Sequence, residues 1–146
     1  MRRIFVGDIQ GCLKQLEELL VAVDFEAGVD RLVPVGDMVN KGPDSDGVLD
    51  LCMQVQAEPV LGNHDLHWLA KDRCDARHQP WLAAQPIVRI FDDLIAVHAG
   101  LHPTWDEAKL GALTEEEGGG RVFSVALHIC AHTRYHPPLT REGRGA

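Results

Sequence analysis

Four short apolar runs in this chain end at side chains that can bind a divalent metal ion. Asp8 and Asp37 follow the first two runs, and Asn63 and His98 follow the next two. Because these residues lie on four separate segments, only folding can bring them together, and a continuous calcium-binding loop is excluded. Carboxylate, amide and imidazole groups suit hard-to-borderline divalent cations, and the candidates are Mn, Fe, Co, Ni, Mg and Zn.

A carboxylate at the end of a strand can bridge two metal ions about 3.5–4 Å apart, and such a pair clamps both oxygens of an in-line displacement. We predict that Asp37 is this bridge. Two divalent cations, two carboxylates and one bridging hydroxide leave a net charge of about +1. A cationic centre in an acidic protein would select an anionic group such as a phosphate.

The composition favours a compact enzyme and argues against a membrane or a long nucleic acid as a partner. With 146 residues, 45% of them hydrophobic, the chain can form one domain with a core. Its formal net charge of −8 opposes binding to nucleic acid, which depends on clustered Lys and Arg. No apolar run approaches the ~20 residues that cross a bilayer, and the apolar stretch before Gly7 is too short for a signal peptide.

The four cysteines are dispersed and show no Cys-x-x-Cys spacing. They are Cys12, Cys52, Cys74 and Cys130. This spacing favours free thiols in a reducing cytoplasm over a disulfide framework or a zinc knot. We therefore predict a cytoplasmic protein, and the sequence predicts no particular oligomeric state.

The elements that must position the candidate ligands alternate between strand and helix. Each apolar run is typical of a buried strand that delivers a polar group at its carboxyl end, the edge where open α/β sheets bind ligands. Helical spacing of apolar residues predicts helices over 12–23 and 46–55, and a weaker one over 74–84. The runs 87–91 and 94–98 predict a β-hairpin.

The motifs resemble the ordered signature of the calcineurin-like metallophosphoesterases, and the resemblance runs from residue 2 to about residue 106. The segments that carry it are Gly7-Asp8-Ile9-Gln10-Gly11-Cys12, Gly36-Asp37-Met38-Val39-Asn40-Lys41-Gly42-Pro43-Asp44-Ser45, Gly62-Asn63-His64-Asp65-Leu66-His67 and Val97-His98-Ala99-Gly100. The Gln-Gly-Cys and Asn-His-Asp-Leu-His wording, and Pro103-Thr104-Trp105-Asp106 after the last motif, are most similar to the bacterial symmetrical diadenosine tetraphosphatases. The resemblance implies an α/β fold, a metallophosphoesterase-type β-sandwich of two sheets flanked by helices.

The resemblance also implies two divalent metal ions, with Mn or Co favoured, and hydrolysis of diadenosine tetraphosphate to two ADP by attack of a metal-bound hydroxide. Asp8 and Gln10 would bind the first metal, Asn63 and His98 the second. Asp37 would bind both. Gln10 stands where many relatives carry His, and because an amide oxygen is a weaker ligand than imidazole we expect a looser first metal.

The resemblance implies that His64 is the proton donor near the leaving group. His67 could line the pocket, and a surface or helix-capping role is the alternative. Protein phosphatases of this superfamily carry Asp and Arg where this chain has Asn40 and Lys41. Asn40 can hold His64 by a hydrogen bond but cannot stabilise its imidazolium as a carboxylate does. Lys41 lacks the planar fork that binds phosphate bidentately.

Both substitutions weaken phosphoester cleavage more than phosphoanhydride cleavage. A serine alkoxide needs a proton in order to leave, whereas a nucleoside diphosphate leaves as a stable anion whose last proton titrates near pH 6. We therefore predict a dinucleoside polyphosphate substrate. A serine/threonine-type protein phosphatase or a phosphomonoesterase of the same superfamily is the alternative.

The chain is expected to form a core over 1–120, followed by a short strand and an irregular tail over 121–146. Relatives continue further, to a last metal-ligating His on a late strand. Val122–Ile129 is either a strand that delivers His132 as a replacement ligand or, as we favour, an earlier segment, so that the final ligand is missing. The fold would then be incomplete at its C-terminal end, and a truncated, inactive nucleotide-binding remnant is a further hypothesis.

Overall fold

The computed structural model describes residues 1–101, 104–106 and 108. Strands and helices alternate only as far as α2, and the order along this part of the chain is β1 (Arg3–Val6), α1 (Leu13–Ala22), β2 (Arg31–Pro34), α2 (Ser45–Gln54), α3 (Asn63–Ala70), α4 (Gln79–Ala83), β3 (Val88–Ile90) and β4 (Ile95–Val97). The predicted boundary at residue 120, the strand predicted over 122–129 and His132 lie outside the described residues.

β1 and β2 pair in parallel along their full length. Leu32 and Val33 of β2 have no exposed surface, whereas Phe5 of β1 is 42% exposed. Ile95 of β4 is also 42% exposed. The expectation that every run forms a buried strand is therefore wrong for β1 and β4, because the faces that carry Phe5 and Ile95 are only partly covered by the described residues.

The third apolar run forms one bridge rather than a full strand. Val60 pairs in parallel with Val35, next to the end of β2. Pro59 has no N–H group to donate to a ladder. The N–H of Leu61 donates away from β2, to the carbonyl of Pro86 at 2.8 Å. The run is buried beside β2 as predicted, but its regular pairing is shorter than a strand requires.

β3 and β4 pair in antiparallel fashion and confirm the predicted β-hairpin. The N–H of Phe91 donates to the carbonyl of Leu94 at 2.8 Å and closes the connecting turn. The register places Val88 opposite Val97. Because Val97 ends β4, the hairpin delivers His98 at the strand end where the sequence predicted it.

α1 and α2 confirm the first two predicted helices. Their buried side chains are Leu16 and Leu20 in α1, and Ser45, Val48, Leu49 and Cys52 in α2. The helix predicted over 74–84 is shorter, since α4 spans only Gln79–Ala83. Pro80 explains the late start, because proline lacks an N–H and fits only the first turn of a helix.

The hydrophobic core reaches directly into the segments that carry candidate ligands. Met38 and Val39, which follow Asp37, have no exposed surface. Leu66 in α3 is 1% exposed and packs in the same cluster. Core packing therefore restrains the backbone that follows the predicted ligands Asp37 and Asn63.

Cys12, Cys52 and Cys74 carry free thiols, which confirms the prediction for the cysteines that the structure describes. Burial raises the pKa of the Cys52 thiol to about 12, so this group is an unreactive part of the core. Within residues 1–101, 104–106 and 108, no helix has the length and apolar character that crossing a membrane requires.

A half-buried ion pair stabilises the sheet at the start of its strands. Arg2 donates to Asp30 through Nε at 3.1 Å and through Nη2 at 2.6 Å. The N–H of Glu26 donates to the same carboxylate at 3.0 Å. The Arg2 hydrogen bond lowers the pKa of Asp30. Because Asp30 precedes β2 and Asp37 follows it, Asp30 lies at the opposite end of the strands from the candidate ligands.

Candidate metal centre

The loops that follow β1 and β2 are joined backbone to backbone. The N–H of Gln10 donates to the carbonyl of Asp37, and that of Gly11 donates to Met38, both at 2.8 Å. In the opposite direction, the N–H of Gly42 donates to the carbonyl of Gln10 at 2.7 Å. These hydrogen bonds fix the first candidate ligand loop against the second.

Several predicted site residues adopt left-handed backbone conformations. Their φ angles are 44° for Asp8, 50° for Gln10, 55° for Asp37, 81° for Asn40 and 47° for Lys41. A side chain with a Cβ rarely adopts such angles, although Asp and Asn tolerate them better than most residues. Conformations of this kind persist where surrounding contacts enforce them, and they cluster at functional sites.

Three of the predicted ligands converge. Asp8, Asp37 and His98 each offer a ligand atom, and these atoms lie within 4.8 Å of one another. Asp37 is 3% exposed, whereas the side chain of Asp8 is 65% exposed. Asp37 therefore lies at the buried side of the group and Asp8 at its solvent-exposed side. Two carboxylates and an imidazole fit a divalent cation of the predicted kind.

The two oxygens of Asp37 have different surroundings. Oδ1 accepts a hydrogen bond from the backbone N–H of His64 at 2.8 Å. Oδ2 lies 3.5 Å from Nε2 of His98 and 3.8 Å from Nε2 of His64, and it is the oxygen that a metal would use. Burial alone would disfavour the charged form, but His98 and the N–H of His64 outweigh burial and lower the pKa of Asp37.

His98 is held in one tautomer by the backbone. Its Nδ1 lies 2.8 Å from the carbonyl of Val35 and must donate, because a carbonyl oxygen only accepts. Nε2 is thus left to face Asp37, whose carboxylate raises the pKa of His98 to about 9. A divalent cation that binds Nε2 would replace a proton at that nitrogen.

Asn40 makes the contact with His64 that the sequence allows. Its Nδ2 lies 2.7 Å from Nδ1 of His64. The loop is held in turn by Ser45, whose Oγ accepts a hydrogen bond from the N–H of Asn40 at 3.0 Å. His64 is 20% exposed, and its other ring nitrogen faces Asp37. The arrangement orients Nε2 of His64 toward the candidate metal group.

For four further predicted site residues the structure gives the position in the chain and the degree of exposure. Asn63 begins α3 and is half-buried, as is Gln10 in the first loop. Lys41 is exposed. His67 is exposed in the last turn of α3, and its role in lining a pocket stays a prediction. His132 lies outside the described residues.

Two glycines of the motifs are required by close approach. Gly36 has a φ of 82°, and a Cβ there would overlap the imidazole of His98. A Cβ at Gly62 would overlap the carboxylate and the backbone N of Asp37. At Gly7, which precedes the first Asp in the same sequence context, a Cβ would meet nothing within 4 Å. The motif glycines are therefore not equivalent.

Asp65, which the sequence did not single out, is the most buried acidic side chain near the site, with 0% exposure. It accepts hydrogen bonds from the backbone N–H groups of Asp37, Met38, Val39 and Gly62. Burial raises the pKa of Asp65 to about 6, and these hydrogen bonds oppose the rise. The available sequence signal was an acidic residue at the third position of a helix, where it can reach back to the N-cap.

Comparison with known proteins agrees with this geometry. Residues 1–136 match the model of the calcineurin-like phosphoesterase family. A symmetrical bis(5'-nucleosyl)-tetraphosphatase of Delftia acidovorans is 40% identical, over 82% of this chain and 50% of the relative. One of Shewanella baltica is 39% identical, over 88% of this chain and 53% of the relative.

A solved structure gives the same result for the fold. It is described as that of a candidate diadenosine tetraphosphatase, is 42% identical and superposes with a TM-score of 0.68. The match covers 74% of this chain and 54% of that protein. The chain thus spans about half the length of the relatives it matches.

The contacts of Gly62 and Gly7 predict that alanine substitution at these two positions has different effects on stability and on Mn binding. Gly62→Ala should lower the thermal midpoint of unfolding and weaken Mn binding, because the new Cβ displaces the Asp37 carboxylate, at roughly 1–3 kcal/mol of overpacking. Gly7→Ala is the matched control and should leave both quantities unchanged. Differential scanning calorimetry and Mn titration measure them.

Equal effects of the two substitutions would contradict the close approach of Gly62 to Asp37. So would a Gly62→Ala protein that binds Mn as tightly as the parent chain.

Proposed function

This chain belongs to the calcineurin-like phosphoesterase family, and on that premise we propose that it hydrolyses diadenosine tetraphosphate symmetrically to two ADP with two divalent metal ions, Mn or Co. The observation that carries the proposal is the convergence of Asp8, Asp37 and His98, whose ligand atoms lie within 4.8 Å of one another. The names of the relatives from Delftia acidovorans and Shewanella baltica support the choice of substrate.

In this proposal Asp8, Gln10, Asp37, Asn63 and His98 would hold the metals, and Asp37 would serve both. Bound divalent ions would neutralise charge on the phosphate oxygens and supply an activated water at neutral pH. The Oδ2 atom of Asp37 is available for binding metal, because Oδ1 accepts a hydrogen bond from the N–H of His64. Hydrolysis adds one water across the central P–O–P linkage, so that one ADP gains the hydroxyl and the other leaves as an anion.

In this proposal His64 assists the departing phosphate. The amide nitrogen of Asn40 donates to Nδ1 of His64 at 2.7 Å, so Nδ1 accepts and the ring proton lies on Nε2. Nε2 also faces Oδ2 of Asp37 at 3.8 Å. A neutral ring in this tautomer can donate a hydrogen bond to a phosphate oxygen without transferring its proton.

This protonation pattern favours an anhydride over an ester. A neutral imidazole is a weak proton donor, and Asn40 adds no negative charge that would stabilise an imidazolium. ADP needs little help, because its terminal phosphate is already largely ionised near neutral pH. Lys41, exposed beside Asn40, would contribute a positive charge to phosphate binding without the bidentate geometry of Arg.

The same residues weigh against the second candidate function, hydrolysis of phosphoproteins or phosphomonoesters. That reaction expels an alkoxide or phenoxide, which requires an effective proton donor. The Asn40–His64 contact is the specific observation that separates the two substrates. A chain that binds metal but turns over neither substrate would correspond to the inactive-remnant hypothesis.

Replacement of the bridging carboxylate should abolish the reaction. The purified chain with Mn or Co should convert diadenosine tetraphosphate to ADP alone, as resolved by ion-exchange chromatography. Asp37→Asn should lower the rate at least about 100-fold, since even residues behind the metal ligands contribute 10–100-fold. Asp24→Asn is the matched control, because Asp24 has a similar φ of 50° and is exposed on a turn outside the site.

ATP and AMP as products would contradict symmetrical cleavage. An equal rate for Asp37→Asn and the parent chain would contradict the metal centre itself.

A change at Asn40 should shift substrate preference. Asn40→Asp places a carboxylate beside Nδ1 of His64 and should stabilise the imidazolium. The ratio of kcat/KM for phenyl phosphate to that for diadenosine tetraphosphate should rise about tenfold or more, because only phenoxide needs the proton. Asn40→Ala, which removes the hydrogen bond, should slow both reactions without raising the ratio. An unchanged ratio in Asn40→Asp would mean that His64 does not set substrate choice.

A further inference from the structure

We propose that Asp65 is a positioning residue, whose carboxylate locks the loop of Asp37 to the start of α3 so that Asp37 and Asn63 are held in metal-binding register. This inference rests on the metal centre proposed above. Asp65 itself has 0% exposure and both of its oxygens are occupied by backbone donors, so it is not available as a metal ligand.

The hydrogen bonds divide between the two oxygens in a way that joins two segments. Oδ2 accepts from the N–H of Asp37 at 2.8 Å and from that of Gly62 at 2.9 Å. Oδ1 accepts from Met38 at 2.8 Å and from Val39 at 3.3 Å. One atom therefore ties the bridging ligand to the residue immediately before Asn63.

A second contact closes the link in the opposite direction. The N–H of His64, at the start of α3, donates to Oδ1 of Asp37 at 2.8 Å. The helix thus holds the carboxylate of Asp37, while the carboxylate of Asp65 on the same helix holds the backbone of Asp37. Two separate hydrogen-bonded contacts fix both the position and the orientation of the bridging group.

The charge type of Asp65 is needed for this arrangement. Its neighbours present four N–H donors and the carboxylate offers only acceptors, so every donor is satisfied. An Asn of the same shape would turn an NH₂ group toward two of these donors and leave them buried and unpaired. Without the hydrogen bonds from Asp65, fewer contacts would enforce the left-handed φ of 55° at Asp37.

Mn titration of four full-length chains tests the proposal: the parent, Asp65→Asn, Asp65→Glu and Asp30→Asn. Asp30 is the matched control, a buried carboxylate that also accepts a backbone N–H but lies at the other end of the strands. Free Mn²⁺ is followed by electron paramagnetic resonance, and backbone amide exchange by NMR without metal. Circular dichroism verifies that each chain is folded.

We expect Asp65→Asn to raise the Mn dissociation constant 10–100-fold, as is common for residues that orient metal ligands. The amides of Asp37, Met38, Val39 and Gly62 should lose protection from exchange. Asp65→Glu keeps both acceptor oxygens and should recover part of the affinity, which also covers the case of an unfolded Asp65→Asn protein. Asp30→Asn should lower thermal stability but leave Mn affinity unchanged.

The proposal is overturned if the Asp65 variants weaken Mn binding no more than Asp30→Asn does, since Asp65 would then stabilise the fold alone. It is also overturned if Asp65→Asn and Asp65→Glu behave alike and the four amides stay protected. A parent chain that binds no Mn at millimolar concentration would refute the metal centre and this inference together. Normal binding by the parent with normal binding by the variants would refute only the inference.

Discussion

The position of one buried carboxylate, that of Asp37, is the constraint on which the rest of the site depends. This group lies in the core, where an uncompensated charge is costly, and it is stabilised there by a backbone N–H and two imidazoles. Its loop is held by the first loop on one side and by Asp65 on the other. Because these contacts leave one carboxylate oxygen toward His98, the fold prepares a ligand group before any metal is present.

The electrostatic character of the site follows from which groups are charged and which are not. Asp37 and the more exposed Asp8 supply negative charge for cations, whereas Asn40 gives Nδ1 of His64 a neutral partner. Metal ions would therefore dominate the local field and draw in an anionic phosphate. The neutral contact behind His64 would then suit a leaving group that departs as an anion, and this is the physical basis of the proposed preference for a phosphoanhydride.

Much of this could be predicted because its signals are local. Apolar runs that end at Gly-Asp or at His98 predicted ligands at strand ends, and helical spacing predicted α1 and α2. The prediction of a full third strand failed because it depended on tertiary contacts. Pro59 and the hydrogen bond from Leu61 to Pro86 limit the regular pairing of the third run. The role of Asp65 depends on donors from a segment 26–28 residues away, which no local pattern encodes.

We propose that folding brings Asp8, Asp37 and His98 together around a pair of divalent ions. A crystal structure of the chain soaked in Mn, with anomalous difference maps, tests it most directly. We expect two peaks about 3.5–4 Å apart that flank the carboxylate of Asp37. Strong Mn peaks elsewhere on the molecule, with none beside Asp37, would contradict it.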